Sequence, residues 1–254
     1  MSKSPLGMID SGLGGMSIYL ALHQAYPQCD IVFLADQHHA PYGSKSKDEI
    51  IAITLQNVRW LRQQGITEVL LACNTTSSNA LDDLITHFPD MNFYGIIDAT
   101  VAQLKPVHHV GVLATVATVQ SKAYQKTINA LYPQAQVTEV AAHNLVRMIE
   151  AMEDAEVIEE YIASIITPLK NVDVLILGCT HYPLVKEAIS KVISAPIVDS
   201  IQPIITLFSD INRFATGKSA VYTSGIPRYF TLQVQRLFNE EIIAKQAYPN
   251  EVLL

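Results

Sequence analysis

The chain has 254 residues, 49% of them hydrophobic and 16% charged, with a formal net charge of −7. That composition supplies packed cores and excludes a disordered chain, and an acidic balance with no dense Lys/Arg cluster argues against a nucleic-acid partner. No apolar run approaches the ~18 residues of a membrane span, and the opening MSKSPLGMID lacks a signal-peptide pattern, so a soluble cytoplasmic protein with a small-molecule ligand is expected.

In chain order, Leu6 to Ile9 reads as a strand ending at Asp10, followed by a turn with Gly12, Gly14 and Gly15 and a helix over Met16 to Ala25. Ile31 to Ala35 is the next strand. A helix starts near Ser46, where Ser46 and Glu49 fit a capping box. Its apolar stripe is read as Ile51, Leu55, Val58 and Leu61, and Gly65 suits its C-terminal stop. Val69 to Ala72 is a buried strand running into Cys73. The scheme then repeats: a strand over Val110 to Leu113, a helix over about Val119 to Leu131, and a strand over Val137 to Val140. A helical stripe of Val157, Tyr161, Ile165 and Leu169 follows, and then a buried strand, Val172 to Leu177, running into Gly178 and Cys179. Strands alternating with helices predict an α/β fold with mostly parallel sheets.

One internal echo stands out. Glu68-Val-Leu-Leu-Ala-Cys73-Asn-Thr75 and Asp173-Val-Leu-Ile-Leu-Gly-Cys179-Thr-His181 each run from an acidic residue through an apolar strand to a cysteine and short polar residues. The echo implies two similar lobes, each presenting a thiol at the carboxyl end of a strand, where open α/β sheets bind ligands. The chain has three cysteines and no secretory features, so free thiols are expected rather than a disulfide framework.

A thiol between a strand end and a helix start faces unpaired N–H groups and the helix dipole, which favour thiolate. Two such thiols across one cleft suit inversion at a carbon acid, one removing the proton and the other delivering one. Cys73 and Cys179 are therefore the candidate acid/base pair, and Cys29 reads as structural. Asn74, Thr75 and Thr180 offer donors for a carboxylate, or serve as ordinary helix caps. His181 either polarises the thiol or the substrate, or is structural. Asp10 either holds an ammonium group, sets the protonation of Cys73, or organises an Asx-turn. The Asp10 to Gly15 segment matches a dinucleotide fingerprint only in part, since Ser17 stands where the last glycine belongs, although Asp36 ends the next strand where a ribose-binding acid would sit. In Pro41-Tyr42-Gly43-Ser44, a turn between strand and helix, the Gly43 and Ser44 backbone suits an anionic side chain. Cys-x-His with one distant cysteine is poor zinc spacing, so no metal is expected.

These residues carry a resemblance. Gly7-Met-Ile-Asp-Ser-Gly-Leu-Gly-Gly15, Pro41-Tyr-Gly-Ser44, Ala72-Cys-Asn-Thr75, the Gly111 to Val119 segment, Leu177-Gly-Cys-Thr-His-Tyr-Pro-Leu184 and Tyr222-Thr-Ser-Gly225 are similar to segments of the glutamate racemases, in the aspartate/glutamate racemase superfamily. The resemblance implies two pseudo-symmetric α/β lobes, 1–96 with 208–254 and 97–207, around a cofactor-independent active site. It implies Cys73 and Cys179 as the acid/base thiols, Asp10 and His181 as assisting groups, and Glu150 as a further acidic residue. Asp10, Ser11, Pro41, Tyr42, Gly43, Ser44, Asn74, Thr75, Thr180 and His181 become substrate contacts. Glutamate is the implied substrate, with aspartate or a related amino acid as the alternative. D-Glutamate for peptidoglycan is the implied product, and a homodimer the implied assembly. Outside this reading stand a nucleotide-dependent oxidoreductase and a non-enzymatic ligand-binding protein that keeps the fold.

Overall fold

The computed structural model describes residues 4–210, 214–215, 217 and 219–248. Its first lobe is built as β1 (Leu6–Asp10), α1 (Gly15–Ala25), β2 (Ile31–Ala35), α2 (Lys47–Gln63), β3 (Glu68–Leu71), α3 (Asn74–His87), β4 (Asn92–Gly95) and α4 (Ile96–Val101). The second continues through β5 (His109–Ala114), α5 (Val116–Ser121), α6 (Ala123–Leu131), β6 (Gln136–Ala141), α7 (Leu145–Glu150), α8 (Ala155–Ile165), β7 (Val174–Gly178), α9 (Lys186–Ser190) and β8 (Ile197–Val198). The chain then returns through α10 (Ile201–Leu207), β9 (Ala220–Thr223), α11 (Pro227–Phe238) and β10 (Ala244–Gln246).

The strands form two sheets, in the orders β10-β9-β2-β1-β3-β4 and β6-β5-β7-β8, and every pairing is parallel. Helices cover both faces of each sheet, which is why the strands read as continuous apolar runs. In the larger sheet, Leu6, Met8, Phe33 and Leu70 face a core with α1, α10 and α11. Ile9, Leu34, Val69 and Leu71 face the opposite core, with α2 and α3. The smaller sheet alternates likewise, Leu175 and Leu177 toward α7 and α8, Val112 and Ile176 toward α4 and α6.

The two sheets share one wiring. β2-β1-β3-β4 and β6-β5-β7-β8 have the same order, so β1 corresponds to β5 and β3 to β7. In each, the chain reverses direction across the sheet between the first strand and the third, the switch point where such sheets open a crevice. The chain passes between the sheets through α4 and α10, which pack on each other, with Thr100 Oγ1 donating to Ser200 Oγ at 2.8 Å.

Three sequence readings are corrected. The helix expected over Val119 to Leu131 is two helices, α5 and α6, broken at Lys122, whose φ of 58° is left-handed. In α2 the capping box forms as expected, with both halves in place. The fully buried face, however, runs through Ile50, Ile53, Asn57, Val58 and Leu61, leaving Ile51 and Leu55 only partly buried. In α8 the buried face is Ile158 and Ile162, continued by Ile166, and Val157 is 44% exposed.

Candidate active site

Both switch points open into one cavity, and the sequence at each strand end supplies its wall. β1 ends on Asp10 and is followed by Ser11, and after β5 comes Thr115. After β3 comes Cys73, and directly after β7 comes Cys179. Ser11, Cys73, Thr115 and Cys179 all line the cavity, so the echo between the two cysteine segments corresponds to equivalent strands, β3 and β7. Pro41 to Ser44, Asn74, Thr75, Thr180 and His181 complete the wall anticipated from sequence. Asp10 and Glu150 are not on the wall but stand behind it, hydrogen-bonded to Thr180 and His181, which are.

Cys73 is the N-cap of α3 and is only 5% exposed. Its Sγ lies 3.6 Å from Ser11 Oγ. Burial pushes this thiol above its ordinary value, and the nearby Asp10 charge adds to the effect. The Thr76 N–H of the first helical turn and Ser11 pull the other way without prevailing. The expectation that the helix start would favour thiolate at Cys73 is corrected: desolvation outweighs the helix N–H groups. It does not apply to Cys179 at all, because a 3-10 turn over Tyr182–Val185, not an α-helix, follows that residue.

Cys179, 6% exposed, has a different partner. Its Sγ is 3.8 Å from His181 Nδ1, and His181 Nε2 is 2.8 Å from Glu150 Oε1. Burial opposes the imidazolium, but hydrogen bonding and charge from Cys179 and Glu150 overcome it and hold His181 well above its ordinary value. Burial would likewise raise the Glu150 carboxyl, but His181 wins and keeps it low. Glu150 also accepts from the Leu13 N–H at 3.4 Å, which ties α7 to the glycine-rich turn.

Asp10 Oδ1 accepts from the Gly12 N–H at 2.8 Å, forming an Asx-turn, and Oδ2 accepts from Thr180 Oγ1 at 3.1 Å. Its carboxyl is raised by complete burial, with His181 as the main counterweight. The Asx-turn alternative is therefore present, with the second carboxylate oxygen turned to the other lobe. Two glycines of this turn, Gly12 and Gly14, answer to the opposite lobe: a Cβ at Gly14 would lie 2.4 Å from both His181 Nδ1 and Thr180 Oγ1, whereas one at Gly15 would meet Asp10 of its own lobe. That close approach explains the glycine-rich segment without a dinucleotide phosphate.

Polar groups across the cavity knit the lobes together. Thr75 Oγ1 pairs with Thr115 Oγ1 at 2.8 Å, and Thr115 with Thr118 at 2.9 Å. Thr75 and Thr180 are thus not helix caps. Tyr124 OH donates to Asn74 Oδ1 at 2.6 Å, while Asn74 Nδ2 is buried with no hydrogen-bond partner among the described residues. A buried donor left over in a cavity wall is what a carboxylate ligand would satisfy. Sequence reading missed Thr115, and also Val116, Ala142, His143, Val146 and Arg147 on the same wall. Thr115 had a signal, its place after β5 in the position Ser11 holds after β1; the α7 residues had none, since only the lobe packing brings them to the mouth. Asp36 is not on the wall, and its carboxylate is occupied by side-chain donors of the protein. Cys29 is buried beneath the larger sheet, away from the cavity. No group of three or more His, Cys, Asp or Glu side chains among the described residues is placed to hold a metal, and no helix of the described residues is long and apolar enough to cross a membrane.

The site can be set beside known proteins. Residues 13–207 match the model of the Asp/Glu/hydantoin racemase family. A glutamate racemase of Latilactobacillus sakei is 34% identical over 97% of this chain and 91% of its own length. Among solved structures, a glutamate racemase of Francisella tularensis in complex with D-glutamate superposes with a TM-score of 0.89 at 28% identity, covering 97% of this chain and 98% of its own. A glutamate racemase isoform of Bacillus anthracis gives 0.87 at 26% identity, covering 96% and 97%.

Proposed function

The chain belongs to the Asp/Glu/hydantoin racemase family and is an amino-acid racemase, and from that premise we propose that it interconverts L- and D-glutamate by a two-thiol mechanism. The observation that carries the mechanism is the placement of Cys73 and Cys179 at equivalent strand ends of the two sheets, on one cavity.

In this reading the α-carbon lies between the sulfurs. For one enantiomer Cys73, as thiolate, takes the α-proton while Cys179, as thiol, gives one to the opposite face; for the other the roles exchange. The assisting groups differ. Asp10 and Ser11 serve Cys73, and the Glu150–His181 pair serves Cys179, with imidazole Nδ1 facing the sulfur and Nε2 held by the carboxylate. Because burial disfavours the Cys73 thiolate, proton removal there needs help from a general base, for which the Asp10 carboxylate stands ready. Asn74 Nδ2, with Thr75 and Thr180 beside it on the wall, receives the α-carboxylate and stabilises the carbanion character that develops beside it. The Gly43 and Ser44 end of the Pro41–Ser44 turn receives the side-chain carboxylate. The mechanism calls on no cofactor or metal.

Glutamate is preferred over aspartate as substrate because the extensive sequence and structural likeness is to glutamate racemases. The reading extends to a cytoplasmic homodimer supplying D-glutamate for peptidoglycan. It also treats 1–96 with 208–254 and 97–207 as the two lobes, with α10 at their seam against α1.

The test is circular dichroism of L- and D-glutamate with purified protein and no added cofactor, with L-aspartate alongside. Cys73→Ser and Cys179→Ser should each lose at least about 10³-fold in kcat, in line with loss of a positioned acid or base. Turnover of aspartate alone would change the substrate, and full activity in either variant would remove the two-thiol mechanism.

A further inference from the structure

The buried cluster around Asp36 lies outside the cavity, yet it holds one of the cavity walls. Asp36 ends just beyond β2 and is completely buried. Four side chains from three segments converge on its carboxylate. His39 Nδ1 donates at 2.8 Å, Asn57 Nδ2 of α2 at 3.0 Å and Ser224 Oγ, after β9, at 2.5 Å. The fourth donor is the hydroxyl of Tyr42, which lies in the Pro41–Ser44 turn. Asn57 reaches Tyr42 as well, at 3.0 Å, and itself accepts from Tyr248 OH near the end of the described chain at 2.5 Å.

This is more than one carboxylate needs for its own satisfaction. The donors pin the turn from behind: Tyr42, which belongs to the cavity wall, is almost completely buried, with its hydroxyl in the cluster. From the front the same turn meets the other lobe, since a Cβ at Gly43 would lie 2.8 Å from Thr115 Cβ. Little slack is left for the turn to move if its rear anchor is kept. A buried charged acceptor with several donors is also costly to disturb, because each donor loses its partner at once.

We infer that Asp36 is a positioning residue of the reaction, fixing the Pro41–Ser44 turn, and with it the pocket for the substrate side chain, through Tyr42, His39, Asn57 and Ser224. It touches no substrate. Its role in turnover rests on the glutamate-racemase reading; its role in holding the wall does not.

Two measurements separate these. First, Asp36→Asn keeps the shape but removes the charge that draws four donors; KM for glutamate should rise by about tenfold or more with kcat changed far less, the signature of weakened uniform binding. Second, alkylation of each thiol by iodoacetamide, followed by mass spectrometry on unliganded protein, reads the wall without reference to catalysis. Cys73 should be modified several-fold faster in Asp36→Asn, with Cys29 unchanged as the internal control. Ser224→Ala, which removes a single donor remote from the cavity, should move both readouts in the same direction by less and serves if Asp36→Asn does not fold. Should the wild type fail to racemise glutamate while Cys73 alkylation still accelerates, the function reading falls and the wall-holding role stands. Unchanged KM and unchanged Cys73 alkylation, or a matching rise at Cys29 that marks general loosening, would overturn the inference.

Discussion

His181 is held, almost completely buried, between a thiol and a carboxylate, and this fixes how its charge is linked to stability. Its folded-state pKa lies well above 6.5 because Cys179 and Glu150 together overcome the burial that opposes the imidazolium. A group raised in this way contributes stability that is fully present below its unfolded pKa and is lost as pH rises through the folded value. Denaturation of wild type and His181→Gln should therefore show a large stability gap at pH 6 that narrows toward pH 10; a gap that is constant or widens would contradict the pairing. Much at this scale was legible in the sequence. Cys73, Cys179, Asp10 and His181 stand out because each lies at, or within three residues of, the end of an apolar strand, where side chains reach the carboxyl edge of a sheet. What was not legible was the outcome of opposing effects. The helix start beside Cys73 is visible in a sequence, but the completeness of its burial is set by the other lobe, and burial wins.

Among the elements, strands were easier to place than helical faces. A strand buried on both sides is a short apolar run with no choice of face, so β1, β2, β3, β5 and β7 fall within two residues of where the runs predict them. Helices offer a choice. A four-residue spacing drifts around a 3.6-residue turn, so in α8 both Val157-Tyr161-Ile165 and Ile158-Ile162-Ile166 read as stripes, and only packing against the smaller sheet selects the second. The selection is testable by denaturant unfolding. Ile162→Ala should cost about 2–5 kcal/mol, whereas Val157→Ala should stay within about 0.5 kcal/mol; equal costs would restore the first stripe. The break at Lys122 had no sequence mark, since a left-handed residue is usually signalled by Gly or Asn and here the position is a lysine.

In the whole molecule, the repeated strand order turns two ordinary switch points into one enclosed site. Each sheet alone would present a crevice with a single thiol. Facing one another, they bring the Cys73 and Cys179 strand ends to one cavity, and interlobe bonds such as Thr180 to Asp10, Tyr124 to Asn74 and Thr75 to Thr115 close its sides. The two lobes could be anticipated from the echo of the cysteine segments. The cross-lobe pairings could not, because Tyr124 meets Asn74, and Thr75 meets Thr115, only through the relative placement of the sheets. The central claim is that two bases act on opposite faces of one carbon. It is tested most directly by early turnover of L-glutamate in D2O, with α-deuterium followed by NMR in each separated enantiomer. Two opposed thiols predict D-glutamate that carries deuterium from the first turnovers while recovered L-glutamate keeps its protium. Protium carried into the product, or deuterium appearing equally in both enantiomers from the start, would point to a single base and contradict the account.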